Sequence, residues 1–255
     1  MMKDNRTRYF KSFDEDFYQS GKKYTLEKDY EYIKKGFANK VISSIVYIIA
    51  LIFSSVYCRL FLHVRFVGNE KLRKEKGAFF LYGNHTQPIG DVFNPALACF
   101  PKRIYTVVSP ANLHLPVIGK LIRPLGGLPL PNTVSGMKEL NRVIEQKVRE
   151  GHPIVIYPEG HLWDYYTKIR PFKEGAFAYP AKLDVPVYCF TTTYQKRKLG
   201  KKPRITVYIE GPFVSNAKGK REKARDLCDK VYERMELCSR FSNYRYIKYV
   251  EKDEC

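Results

Sequence analysis

From residue 64 onward, apolar runs of strand length alternate with longer segments of helical spacing, and this alternation limits the chain to few folds. The runs at 64–67, 78–82, 104–108, 154–157, 185–191 and 205–209 read as strands. Those at 91–100, 115–122, 134–150, 174–183 and 218–238 read as helices; Gly151 stops the third of them and Pro180 interrupts the fourth. Strands interleaved with helices predict an α/β domain whose mixed, largely parallel sheet is flanked by helices. At 255 residues the chain suffices for one such core with an extension.

Ahead of this domain, residues 41–58 carry no charge. As a helix they span roughly 27 Å, just under a hydrocarbon core of about 30 Å. The run begins too far into the chain for an ordinary secretory leader and shows no A-x-A site. Three placements are open: a spanning helix, a helix embedded in one leaflet, and a buried core helix. Lys34, Lys35 and Lys40 precede the run while Arg59 and Arg65 follow it, so basic residues on both sides leave its orientation undecided. Residues 1–40, rich in Lys, Asp, Glu and Tyr and without a clear apolar period, read as a surface or partly helical arm. The expected division is a charged arm at 1–40, a hydrophobic membrane-associated helix at 41–63, a catalytic domain at 64–240 and a tail at 241–255.

The formal net charge is +19, which points to a polyanionic partner: an anionic bilayer, nucleic acid or phosphorylated substrates. Nucleic acid is disfavoured, because no zinc-finger spacing, RNA-binding aromatic motif or recognition helix is visible, and the apolar run at 41–58 argues against it. The basic run at 196–204 reads as a solvated loop able to touch anionic headgroups. An apolar content of 44% excludes wholesale disorder. Six cysteines, at 58, 99, 189, 228, 238 and 255, form no CxxC pair or Cys/His cluster, so neither zinc nor a disulfide framework is expected. Cys99 and Cys189 read as packed thiols. The pattern suits a reducing compartment, with the catalytic domain on the cytoplasmic side.

Asn84-His85-Thr86-Gln87-Pro88-Ile89-Gly90-Asp91 directly follows the 78–82 strand. A neutral imidazole takes a proton from an alcohol near pH 7, and a nearby carboxylate fixes its tautomer. A second cluster, Tyr157-Pro158-Glu159-Gly160, stands at the exit of the 154–157 strand. Two strand exits carrying such groups suggest one site at the mouth of an α/β core.

At these residues the chain resembles the phospholipid/glycerol acyltransferase family, whose best-known members acylate lysophosphatidic acid. The resemblance covers roughly residues 64–215 and runs through four blocks in order. The first is Asn84, His85 and Asp91. The second is Leu115-Pro116-Val117-Ile118-Gly119-Lys120-Leu121-Ile122-Arg123, continuing to Gly126-Gly127-Leu128. The third is Tyr157-Pro158-Glu159-Gly160 with Arg170-Pro171-Phe172-Lys173-Glu174-Gly175, and the fourth is Val185-Pro186-Val187. The resemblance implies a glycerolipid acyltransferase fold, membrane lipids as partners, and an acyl-carrier protein or coenzyme A thioester as donor, with no cofactor or metal. It implies that His85, oriented by Asp91, deprotonates the acceptor hydroxyl. Glu159, Gly160, Arg123, Asn132, His161, Arg170 and Lys173 are the expected substrate-binding residues. Backbone N–H groups of the Glu159-Gly160 turn are candidate oxyanion donors.

Three departures bear on the acceptor. Five residues, not the family's four, separate His85 from Asp91, and Asp91 could instead cap the helix that follows. Asn132 stands where relatives carry a phosphate-binding Arg. His161-Leu162 replaces a Thr-Arg pair, so a second guanidinium is missing. Either Arg123, Arg170 and Lys173 take over the charge, or the acceptor is not a phosphate, for example a lyso-aminolipid. His161, Trp163, Asp164, Tyr165 and Tyr166 either line the acceptor pocket or form a packed loop anchored by Trp163. A catalytically lapsed lipid-binding relative is the remaining alternative.

Overall fold

Phe79 and Leu81 of the 78–82 run are buried in one apolar cluster, and Phe80 and Tyr82 in another. A strand buried on both faces needs a layer on each side. The computed structural model, which describes residues 6–18, 24–27, 29–198 and 200–252, supplies them. The strands in chain order are β1 (Thr7–Phe10), β2 (Val64–Val67), β3 (Phe80–Gly83), β4 (Tyr105–Val108), β5 (Gly127–Pro129), β6 (Ile154–Ile156), β7 (Val187–Gln195), β8 (Arg204–Phe213) and β9 (Lys248–Glu251). The helices are α1 (Phe37–Tyr57), α2 (Glu70–Lys74), α3 (Gly90–Cys99), α4 (Ile118–Ile122), α5 (Val134–Arg149), α6 (Ala178–Leu183) and α7 (Lys220–Ser239).

The main sheet has seven strands in the order β2-β8-β7-β3-β6-β4-β5. Every pairing in it is parallel except β7 with β8. On one face Phe80, Tyr82, Ile154 and Ile156 pack with Leu140 of α5 and Val231 of α7. On the other, Leu81 and Val155 pack with Leu72 of α2 and Cys99 of α3. Cys99 and Cys189 are fully buried thiols, as expected.

Helix α1 starts four residues before the uncharged run and continues as a π-helical turn through Cys58–Leu62. Phe37–Leu62 is long and apolar enough to cross a membrane, and only 17% of its apolar window is buried, which excludes a core helix. Three of its polar groups contact the domain, while Ser44 and Ser55 are exposed. Ser43 Oγ donates to Pro124 O (2.9 Å), Tyr47 Oη accepts from Ile104 N–H (3.2 Å), and Cys58 Sγ meets Asn94 Oδ1 (3.6 Å). Ile42, Ile45, Ile49, Ile52 and Phe53 are all more than half exposed.

Several expectations are corrected. Thr7–Phe10 of the arm is a strand, paired in parallel with Lys248–Glu251 of the tail, so arm and tail meet. Four-residue strands so far apart in sequence leave no local period to read. Gly127–Pro129, given no structure from sequence, is the edge strand β5; three residues ending in Pro fit only an edge. The 115–122 helix is shortened to α4, Ile118–Ile122, and a separate 3₁₀ turn at Pro110–His114 precedes it. Pro180 does not interrupt its helix; it lies in the first turn of α6, where no intrahelical N–H is needed.

Candidate active site

Register brings the two motifs together. β3 and β6 are parallel neighbours with Tyr82 opposite Ile156, and His85 and Glu159 each lie three residues beyond that pair. They meet outside the carboxyl ends of the strands, where open α/β sheets bind ligands. His85 N–H donates to Glu159 Oε2 at 3.1 Å. Gly83 is the last residue of β3, and only a glycine fits there because a Cβ would fall 2.1 Å from the Phe190 ring. Asn84 bonds both ways with the backbone of Thr192 (2.8 and 3.0 Å), fixing the exit of β3 to β7.

The longer loop still closes the His–Asp pair: His85 Nδ1 lies 2.8 Å from Asp91 Oδ2. An ionised Asp91 only accepts, so Nδ1 carries the proton and Nε2 is the basic nitrogen. The imidazole is about one-quarter exposed and stacks on the Tyr157 ring, centroids 4.5 Å apart. Tyr157 Oη in turn donates to Asp91 O at 2.5 Å, and burial pushes its phenol well above the ordinary value. Asp91 Oδ2 also accepts from Gln87 N–H at 2.9 Å, and the residue lies in the first turn of α3, at the helix's positive end. One carboxylate therefore orients the base and holds the loop at Gln87; it does not cap α3, whose N-cap is Ile89 with no side-chain cap bond. Burial raises its pKa, against the lowering effect of the hydrogen bond and charge of His85.

Glu159 and Arg170 lie behind this pair. Both side chains are fully buried, joined at 2.8 Å, and Glu159 Oε1 also accepts from Arg170 N–H at 3.0 Å. Arg170 further donates to His161 O and lies 4.8 Å over the Trp163 ring. Gly160, at φ 83°, is exposed, and Lys173 Nζ lies 3.4 Å from where its Cβ would be. Gly160 N–H donates to Tyr157 O and His161 N–H to Glu159 O, both at 3.1 Å, so these candidate oxyanion donors are engaged within the turn. His161 Nδ1 faces Asp16 Oδ2 at 3.1 Å. Arg123 lies 4.7 Å over the Tyr30 ring, and Asn132 is exposed just before α5. Neither is linked to His85 by a contact described above. Among the described residues, no cluster of three or more His, Cys, Asp or Glu could hold a metal.

Trp163 has no exposure, which makes it the anchor of a packed loop. Its N–H donates to His85 O (3.0 Å) and that of Tyr165 to Thr86 O (2.8 Å), so this loop runs beside the histidine. The indole is enclosed by Phe10, Phe17 and Tyr249, and its Nε1 donates to Glu15 O. Asp164 binds Arg8 at 2.6 Å and accepts from Tyr18. The arm's part in the site was missed from sequence; its alternation of aromatic and acidic residues, Phe13-Asp14-Glu15-Asp16-Phe17, was the only available signal.

A family model described as Acyltransferase matches residues 63–193. No curated protein matches the chain. Among solved structures, the fold is similar to the crystal structure of the 1-acyl-sn-glycerophosphate (LPA) acyltransferase PlsC from Thermotoga maritima. The TM-score is 0.57 at 18% identity, covering 78% of this chain and 82% of that one.

Proposed function

Because the chain belongs to the acyltransferase family, we propose that it moves a fatty acyl group from a thioester of acyl-carrier protein or coenzyme A to the hydroxyl of a lysophospholipid or related glycerolipid. The observation that carries this reading is the closed His85–Asp91 pair on a partly exposed ring at the strand exits. His85 Nε2 takes the acceptor proton as the hydroxyl oxygen attacks the thioester carbonyl. The tetrahedral intermediate collapses with loss of the thiolate, which recovers the proton from the imidazolium. Asp91 holds the tautomer and stabilises the imidazolium while it exists. The extra loop residue, which with the two missing arginines motivates the alternative of a lapsed binding protein, leaves this pair intact.

Roles within the substrate-binding set divide by exposure. Glu159 and Arg170 have no surface to offer and serve to hold the His85 loop and the 161–165 loop in place. Gly160, His161 and Lys173 form the acceptor side. Arg123 and Asn132 belong to the outer part of that surface. The catalytic unit is assigned to residues 64–240 and the anchor to 41–63. Because α1 and the π-helical turn after it are tied to the domain at Ser43, Tyr47 and Cys58, the helix lies along the domain and embeds its apolar face in one leaflet; the cytoplasmic side is inferred separately, from the scattered cysteines. The test is mass spectrometry of products from vesicle-bound protein given both donor types and a panel of lysolipids. An acylated acceptor is expected; none from any donor and acceptor pair would sink the reading.

A further inference from the structure

The cations that the sequence offers to an acceptor phosphate are already engaged. Arg170 is sealed against Glu159, and Arg123 stacks on Tyr30. The two basic side chains on the exposed turn beside Gly160, Lys173 and His161, both meet carboxylates of the N-terminal arm. His161 Nδ1 lies 3.1 Å from Asp16 Oδ2, and Lys173 Nζ lies 3.6 Å from Asp14 Oδ1. Lys173 belongs to the turn itself, since its N–H donates to Pro158 O at 2.9 Å. The stretch carrying both carboxylates is pinned. Trp163 Nε1 donates to Glu15 O at 2.9 Å, and Phe13 and Phe17 pack on the indole. Asp16 is only 17% exposed, whereas Asp14 is 80% exposed, so solvent and salt screen Asp16 less. The stretch also lies outside the residues matched by the family model.

We propose that Asp14 and Asp16 determine acceptor specificity, by occupying Lys173 Nζ and His161 Nδ1 and presenting negative charge to the acceptor headgroup. A phosphomonoester, with close to two negative charges, must then compete with two carboxylates for the same donors. An uncharged or amine-bearing headgroup meets no such competition. Asp14 and Asp16 are thus selectivity residues and take no part in proton transfer. The inference rests on the reading that the acceptor enters beside the Glu159-Gly160 turn.

The test measures binding without turnover. In the full chain carrying His85→Ala, calorimetry would compare short-chain lysophosphatidate with monoacylglycerol of the same chain length, with and without Asp14→Asn and Asp16→Asn together. The paired substitution should tighten lysophosphatidate about 3- to 10-fold, the scale of two partly exposed ion pairs, and leave monoacylglycerol unchanged. Glu15→Gln, a charge removed from the same stretch but paired with Lys11 N–H, should change neither. Both ligands binding with an unaltered ratio would overturn the role of the arm and leave the acceptor site standing. Neither ligand binding to either protein would overturn the placement of the acceptor site, and the inference with it.

Discussion

The carboxylate of Asp91 is buried, with Oδ2 accepting from His85 Nδ1 and Gln87 N–H. Burial holds its pKa above the ordinary 3.8. Between the ordinary and the raised value the native state binds more protons than the unfolded one, so stability falls as pH rises through that window. Above it the penalty is complete. Asp91→Asn removes the charge, so the variant should melt higher than the parent at neutral pH. The difference should close as pH drops below the ordinary carboxylate range. Turnover should fall about 10²- to 10⁴-fold, because an amide does not enforce the tautomer or stabilise an imidazolium. Thermal melts and rates across pH, on the same samples, check both halves. Glu159 and Arg170 behave oppositely. Arg170→Met strands a fully buried carboxylate, and denaturant unfolding should show a loss of about 3–5 kcal/mol. At this scale the sequence marked His85, Asp91, Glu159 and Arg170, which the structure brings into contact, but not the complete burial of the last two. A His and an Asp near a strand exit carry their chemistry in their types. Two charged residues that neutralise each other in the interior look, in sequence, like any surface pair.

Helix α1 shows what was legible at the scale of elements and what was not. Its uncharged composition announced a helix of membrane length. Hydropathy alone does not say what the helix lies against. The deciding residues are Ser43, Tyr47 and Cys58, whose polar atoms all turn to the domain. An anchor fixed along its length should lie flat in the membrane. Ile45→Trp and Phe53→Trp, both on the exposed face and about 12 Å apart along the axis, should therefore be quenched by spin-labelled lipids at the same depth. A depth difference approaching that spacing would indicate a spanning helix. The short strands β1 and β9 mark the opposite limit. Each gains its partner only when the chain ends meet, and their contribution to the loop around Trp163 depends on packing that no local pattern encodes.

Across the whole molecule, six of the seven strands of the sheet, its largely parallel pairing and the meeting of the two motifs were legible in the strand and helix alternation together with the family blocks; the edge strand β5 was not. The clasp formed by the arm did not, because it depends on contacts between the chain ends and the loop beside the site. The net charge of +19 also acquires a location. In the basic loop, Arg197 donates to Pro203 O and to Leu62 O, where the apolar helical run ends. Lys198, Lys201 and Lys202 belong to the loop that Arg197 ties to the end of this apolar run. Replacing these three with Glu should weaken sedimentation with anionic vesicles at low salt and reduce its salt dependence, while binding to zwitterionic vesicles changes little. The central claim, that His85 is the base of an acyl transfer, has a direct measurement: initial rates of labelled acyl transfer to the preferred lysolipid by vesicle-bound protein, beside His85→Ala. A loss of about 10²-fold or more, with the melting temperature preserved, is the predicted result. A folded His85→Ala protein that transfers acyl groups at the parent rate would contradict the account.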